Sequence, residues 1–239
     1  MFLYFIRHGD PIYDPDSLTL LGEEQAKALA KRLALYGLDE IYSSTSNRAQ
    51  RTAQPTCELL KRQMQLVDWA NEGHAWRELS VPTQNGGNTW AFHDKETKEK
   101  FRSQTLRNLG KEWFKSTDLK RNFEGGIRRI DKAVDEFLLS LGYAHDRESN
   151  GYKAIEPNER RVALFAHQGF GLAFLSSLLD IPYPVFCTSF DLSHSSMTVI
   201  SFENDETSSL VYPKILQLAN DSHLYKEGIL TGYNNVFHI

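Results

Sequence analysis

Two short runs constrain this chain more than any other feature: Phe2-Leu3-Tyr4-Phe5-Ile6 near its start and Val162-Ala163-Leu164-Phe165-Ala166 much later. Neither alternates between apolar and polar residues. An alternating strand can leave one face in water, whereas an unbroken apolar run needs cover on both faces, the condition of a parallel strand inside an α/β sheet. Each run also ends in a histidine with a glycine close behind, as Arg7-His8-Gly9 and as His167-Gln168-Gly169. Ligands of open α/β sheets bind beyond the carboxyl ends of the strands. If the two strands are neighbours, His8 and His167 face one pocket. An imidazole there can attack, and the adjacent Arg7 guanidinium can hold an anion by two parallel hydrogen bonds.

The 239 residues suffice for one large α/β domain carrying an insertion, and 41% hydrophobic with 24% charged residues is a globular balance. A formal net charge of −4 argues against a nucleic-acid or anionic-membrane surface, so any anion site must be a local concentration of basic groups. Cys57 and Cys187 sit among apolar or small residues and read as buried thiols of a reducing compartment. No basic leader followed by a long apolar stretch opens the chain, and no apolar run is long enough to span a bilayer, so a cytoplasmic protein is expected. His145, His167, His194 and His223 lie far apart and no Cys-x-x-Cys occurs, so no metal and no cofactor is expected.

After Gly9, the proline-punctuated stretch from Asp10 to Ser17 reads as a loop. Leu18-Thr19-Leu20-Leu21-Gly22 introduces a helix with Glu23 and Glu24 in its first turn and Ala26, Leu29, Ala30 and Leu33 at helical spacing, ending near Gly37. Glu40-Ile41-Tyr42-Ser43 is a second strand. It runs into Ser44-Thr45-Ser46-Asn47-Arg48, where hydroxyls and a helix start set unpaired backbone N–H groups beside a sheet edge, a natural anion site that Arg48 would face. Arg51 is a solvated charge or half of a local ion pair, and Pro55 is a potential kink in that helix. Met64 to Asp68 reads as an edge strand, and Glu72 and Glu78 beyond it both qualify by position as proton donors.

From about 80 to 126 the pattern becomes aromatic and charged without a clear strand, as a mainly helical insertion would be. Its Trp90, Phe92, Phe101, Trp113 and Phe114 either line a lid over the site or form the insertion's own small core. Ile127 to Leu141 is an amphipathic helix, Tyr143 to Arg160 a polar surface excursion, and Phe170 to Leu179 a helix ended by Ile181-Pro182. Met197 to Phe202 is a strand expected to pair antiparallel with Ser209 to Tyr212 across a turn at Asn204-Asp205. His194 either reaches the pocket rim or caps its loop. The tail from Asn220 is too polar and glycine-punctuated for a helix.

Taken together, Arg7-His8-Gly9, Leu18-Thr19-x-x-Gly22 with Gln25-Ala26, Ser43-Ser44-x-x-x-Arg48-Ala49-x-x-Thr52-Ala53 and Ala166-His167-Gln168-Gly169 resemble the motifs of the histidine phosphatase superfamily, also called the phosphoglycerate mutase-like family. The resemblance implies a three-layer α/β/α fold with a mostly parallel central sheet, formed by residues 1–239 as a single domain whose insertion at about 80–126 covers the site. His8 matches the nucleophile that becomes phosphohistidine, while Arg7, Arg48 and His167 match the rest of the phosphate pocket. The family's proton donor is an acid after the third strand. Glu72 fits that placement better than Glu78, because Ala70 stands nearest to the leucine that commonly precedes it by two residues.

The departures are specific. Tyr13 and Asp14 stand where family members often carry an asparagine, and Gln168 replaces the first glycine of a common Gly-Gly, adding an amide donor to the candidate phosphate-binding set. The implied activity is that of a phosphoric monoester hydrolase of the histidine acid phosphatase type, independent of metal and acting on a small phosphorylated substrate. A phosphoglycerate mutase-type transferase and a catalytically weak phospho-ligand binder are the alternatives.

Overall fold

Phe2–Arg7 and Arg161–Ala166 are strands, as their unbroken apolar runs predict, and every residue from Leu3 to Arg7 and from Val162 to Ala166 is buried. The computed structural model describes residues 1–203 and 210–234. The elements begin with β1 (Phe2–Arg7), β2 (Pro11–Tyr13), β3 (Asp16–Leu18), α1 (Leu20–Tyr36), β4 (Glu40–Ser44), α2 (Asn47–Leu60) and β5 (Met64–Val67). They continue with α3 (Glu72–Leu79), β6 (Ser80–Pro82), β7 (Asn88–Trp90), α4 (Lys95–Phe101), α5 (Gln104–Asn108), α6 (Glu124–Ser140), β8 (Tyr143–Asp146) and β9 (Gly151–Ala154). The last are β10 (Arg161–Ala166), α7 (Gln168–Leu178), α8 (Tyr183–Cys187), β11 (Met197–Ser201), β12 (Lys214–Asn220) and α9 (Ser222–Lys226). The result is a mixed α/β protein with a mostly parallel central sheet.

Two compact units emerge, one from Met1–Asn71, Pro157–Gln168 and Leu192–Ile239, the other from Glu72–Glu156 and Gly169–Asp191. The first holds the six-stranded sheet, in the order β12-β11-β1-β10-β4-β5. β1, β10, β4 and β5 run parallel, and β11 and β12 add an antiparallel edge. Tyr4, Ile6, Ala163 and Phe165 pack with Leu29 and Leu33 of α1 and Ala53 and Cys57 of α2, the stripes that helical spacing marks out. Thr19 caps α1 by accepting from the Gly22 N–H at 3.0 Å. Pro55 stays inside a continuous α2. Arg51 forms its local pair with Glu23, its Nε 2.6 Å from the carboxylate. Both cysteines are free and buried.

Four sequence expectations change. The Asp10 to Ser17 loop contains the β2–β3 hairpin, too short to show a two-residue period. The strand that β11 pairs with antiparallel is Lys214–Asn220, further along the chain than expected, because periodicity cannot count the residues of a connection; the Asn204-Asp205 turn and Ser209 lie outside the described residues. The tail forms a one-turn helix, α9, whose own His223 and Leu224 are buried, since a short helix needs tertiary packing more than an apolar stripe. The excursion from Tyr143 folds into the β8–β9 hairpin, in which His145 stacks on Tyr152 at 4.1 Å between ring centroids.

The second unit contains the region expected to be a helical insertion. It holds α4, α5 and a 3₁₀ turn over Gly110–Lys115, but opens on the β6–β7 hairpin, whose three-residue strands carry too little pattern to read. Phe101 and Trp113 pack edge to face with centroids 5.4 Å apart, and both touch Phe123 and Tyr183, so these rings are a core of this unit. Among the described residues no helix is long and apolar enough to cross a membrane.

Candidate active site

Register brings the two histidines together. β1 and β10 pair with Arg7 opposite Ala166, so the next residue of each strand, His8 and His167, leaves the sheet at the same level. The His8 N–H donates to the Ala166 carbonyl at 3.0 Å, and the two rings meet edge to face at 5.1 Å. Arg7, His8 and His167 are almost fully buried. The turn after His8 depends on glycine: a Cβ on Gly9 would sit 2.7 Å from the Gly22 carbonyl oxygen, so the backbone after β1 lies directly on the first turn of α1. Gly22 is held to glycine by the same approach, since a Cβ there would collide with the Asp10 carbonyl oxygen. Thr52 and Gln25 hold the same turn by accepting from the Gly9 N–H at 3.0 Å and the Asp10 N–H at 2.8 Å.

Hydrogen bonding decides the state of His8. Its Nδ1 lies 2.7 Å from the Gly9 carbonyl, which can only accept, so Nδ1 carries the proton. Burial, followed by the charges of His167, Arg7 and Arg48, holds the imidazole well below its ordinary range. The ring is therefore neutral at pH 7, with the lone pair on Nε2. Burial and the two arginines depress His167 as well. Its Nε2 lies 2.8 Å from Ser44 Oγ and 3.1 Å from Ser46 Oγ, while its buried Nδ1 has no partner among the described residues.

Ser46 stands at the N-cap position of α2, yet makes no capping bond. Its hydroxyl faces His167, and Asp16 takes over the helix start by accepting from the Asn47 N–H at 2.7 Å. The other oxygen of Asp16 accepts from Arg48 Nη1 at 2.8 Å, and the Arg48 guanidinium lies over the Tyr13 ring, 5.4 Å from its centroid. Arg7 donates through Nη1 to the Leu192 carbonyl and through Nη2 to Asn234 Oδ1, the latter at 2.5 Å.

The first unit thus assembles Arg7, His8, Arg48 and His167, with Gln168 buried immediately after His167. Both candidate acids belong to the second unit. The Glu72 oxygens accept from the Gly169 and Phe170 N–H groups at 2.9 Å each, in the first turn of α7. Glu78 is tied to Arg129 through both oxygens, at 2.6 Å from Nη2. Sequence reasoning missed Asp16 and Asn234, and left His194 at the rim or in a capping role. His194 is in fact buried, and its ring stacks over that of His8 at 6.2 Å. A histidine in a run of serines between an apolar segment and a strand was the one signal that marked it.

The model of the histidine phosphatase superfamily (branch 1) matches residues 3–213. The chain belongs to this superfamily. No curated protein sequence matches it. Among solved structures this superfamily member is similar to a phosphoserine phosphatase from Entamoeba histolytica in complex with phosphoserine, with 20% identity, a TM-score of 0.59 and coverage of 93% of this chain and 98% of the other. It is also similar to a mycobacterial glucosyl-3-phosphoglycerate phosphatase, with 20% identity, a TM-score of 0.57 and coverage of 91% and 98%. A putative alpha-ribazole-5'-P phosphatase from Escherichia coli gives 18%, 0.55, 92% and 97%. At these identities the structures establish the fold of the superfamily member and nothing finer.

Proposed function

We propose that this protein is a metal-independent phosphomonoester hydrolase that works through a phosphohistidine on His8 and acts on a small phosphorylated substrate. The observation that carries the reading is the state of His8: a neutral imidazole whose Nδ1–H is spent on the Gly9 carbonyl, leaving the Nε2 lone pair beside Arg7, Arg48 and His167. Positive and donating groups around a transferring phosphoryl group supply the electrostatic stabilisation that such a reaction needs. The buried Nδ1 of His167, without a partner among the described residues, is a ring nitrogen that a phosphoryl oxygen can pair with. Membership of the histidine phosphatase superfamily, and the names of the similar structures, point the same way.

In the proposed reaction His8 Nε2 bonds to phosphorus as the ester P–O bond breaks, and the leaving oxygen takes a proton from Glu72. The Glu72 carboxylate then takes a proton from water as that water attacks, the P–N bond breaks, and phosphate leaves with His8 neutral again. Glu72 is favoured over Glu78 because Glu78 is committed to Arg129 by a two-pronged ion pair. Gln168 is assigned to the phosphate-binding set as a further amide donor.

The test is to quench a reaction with a radiolabelled phosphomonoester and examine His8. Phosphate that is base-stable and acid-labile on the wild type and absent from His8→Ala supports the reading. His8→Ala with full activity overturns it. Release of inorganic phosphate, measured against isomerisation of phosphoglycerate, separates hydrolase from mutase.

A further inference from the structure

Two donors converge on one oxygen beside the histidine pair. Asn234 Oδ1 lies 2.5 Å from Arg7 Nη2 and 2.6 Å from His194 Nε2, and both donor side chains are almost fully buried. The amide that supplies this oxygen is itself exposed, and its Nδ2 donates to the exposed Tyr13 hydroxyl at 2.9 Å. The segment leading to it is pinned on the first unit: the His194 N–H donates to the Gly232 carbonyl at 2.7 Å, and Thr231 and Ser193 both donate to Asp221 Oδ2, at 2.7 and 2.9 Å. A neutral amide thus occupies a position built from a guanidinium and an imidazole N–H. A charged acceptor is the better match for such a pair, because hydrogen bonds with an ionised partner are about twice as strong as neutral ones.

The geometry points to an anion subsite formed by Arg7 and His194, occupied in the resting chain by the Asn234 side chain and taken over by an anionic oxygen of the ligand when Asn234 swings out. This rests on the reading of the pocket as a phosphate site. Its ligand is an oxyanion, either an oxygen of the phosphoryl group itself or a second anionic group, such as a carboxylate, on the same small molecule. Burial, then the charge of Arg7, lowers His194 to about 4, so at pH 7 its ring holds a single proton. Of the two acceptors that face the ring, the Asn234 oxygen is the nearer and makes the hydrogen bond, at 2.6 Å from Nε2 against 3.3 Å from Nδ1 to Asp10, so the proton is placed on Nε2 as the donor. The other groups facing His194 are Asp10, whose Oδ1 is 3.3 Å from Nδ1, and the His8 ring. Asp10 is anchored in turn by the Thr19 hydroxyl, which donates to its Oδ2 at 2.7 Å.

The experiment is calorimetric titration of the full chain with inorganic phosphate and, separately, with 3-phosphoglycerate, for the wild type, Asn234→Ala and Asn234→Asp. Removing the internal competitor in Asn234→Ala is expected to tighten binding about five- to tenfold, the worth of roughly one hydrogen bond. Asn234→Asp sets a carboxylate on the two donors and is expected to weaken binding more than tenfold, by roughly the strength of a charge-assisted bond. Asn234→Ala that tightens inorganic phosphate puts a phosphoryl oxygen in the subsite. Tightening of 3-phosphoglycerate alone puts the second anionic group there. Asn234→Ala that tightens neither overturns the inference. Binding is read without turnover, so a chain whose phosphate affinity responds to Asn234 but that hydrolyses no phosphomonoester keeps the subsite and loses the phosphatase reading. Turnover with no response to Asn234 does the reverse.

Discussion

Asp16 offers the sharpest test of how the pocket is held, because its two oxygens do two jobs and the residue that would ordinarily do one of them is engaged elsewhere. Ser46 sits at the N-cap of α2 with its hydroxyl turned to His167, while Asp16 accepts from the Asn47 N–H and from Arg48. Asp16→Ala removes the cap, worth about 1 kcal/mol. It also removes a partly exposed ion pair, worth about 0.5 kcal/mol. At roughly 2–4 °C per kcal/mol for a chain of this size, the melting temperature should fall by about 3–6 °C. Arg48 then loses its anchor while keeping its charge, so kcat/KM on a generic phosphomonoester should fall about tenfold from lost orientation. Asp16→Asn keeps a capping oxygen without the charge, and should recover most of the thermal loss but little of the activity. Ser46→Ala should leave the melting temperature within about 2 °C, despite the usual rule for N-cap serine, because no cap is lost. Thermal unfolding and steady-state kinetics on the four proteins decide it. If Ser46→Ala lowers the melting temperature as much as Asp16→Ala, Asp16 is not the residue that caps α2.

The remaining expectations concern the acids, the turn after His8 and pH. Glu72→Gln should depress kcat/KM, which reports only the step that breaks the ester, about 100-fold or more on an alkyl phosphate and much less on p-nitrophenyl phosphate, whose leaving group needs no proton, whereas Glu78→Gln should leave both within about twofold; equal loss of kcat/KM on the two substrates would remove Glu72 from the acid role. Gly9→Ala drives a Cβ against the Gly22 carbonyl, where backbone cannot yield, so it should cost about 1–3 kcal/mol in denaturant unfolding and displace His8, with activity falling alongside. Burial lowers His194 and His223 to about 4 each, so between pH 6.5 and 4 the unfolded chain binds more protons than the folded one, and stability should fall as pH falls, by about 1.4 kcal/mol per unit for each group. His223→Gln should flatten that slope, and an unchanged slope would exclude His223 as a contributor. His145 has the opposite sign: Asp135 and Asp180, each 2.8 Å from one ring nitrogen, outweigh burial and raise it, so its contribution is complete below 6.5 and lost as pH rises through its folded value.

Much of the pocket was legible because it is written in short words. The run Phe2 to Ile6 states that β1 is buried, covalent adjacency then puts Arg7 and His8 at its end, and the same holds for β10 and His167. Arg48 is legible from the hydroxyl run that precedes a helix. The reading failed where elements are shorter than their own period, as in the β2–β3 and β6–β7 hairpins, and where a strand's partner had to be chosen, as with β12.

The sequence alone therefore established the sheet class and a histidine at the end of each of two buried strands, and marked two arginines and a pair of acids as candidates, because periodicity and adjacency are local; that the two strands are neighbours was decided by the sheet. Only the folded chain decided that Gly9 carries the proton contact of His8, that Asp16 rather than Ser46 serves α2, that Arg129 claims Glu78, and that Asn234 reaches back to Arg7. Each of these but the first joins residues that are distant in sequence, and all are hydrogen bonds that exist only once packing has fixed register and distance. No local pattern encodes them.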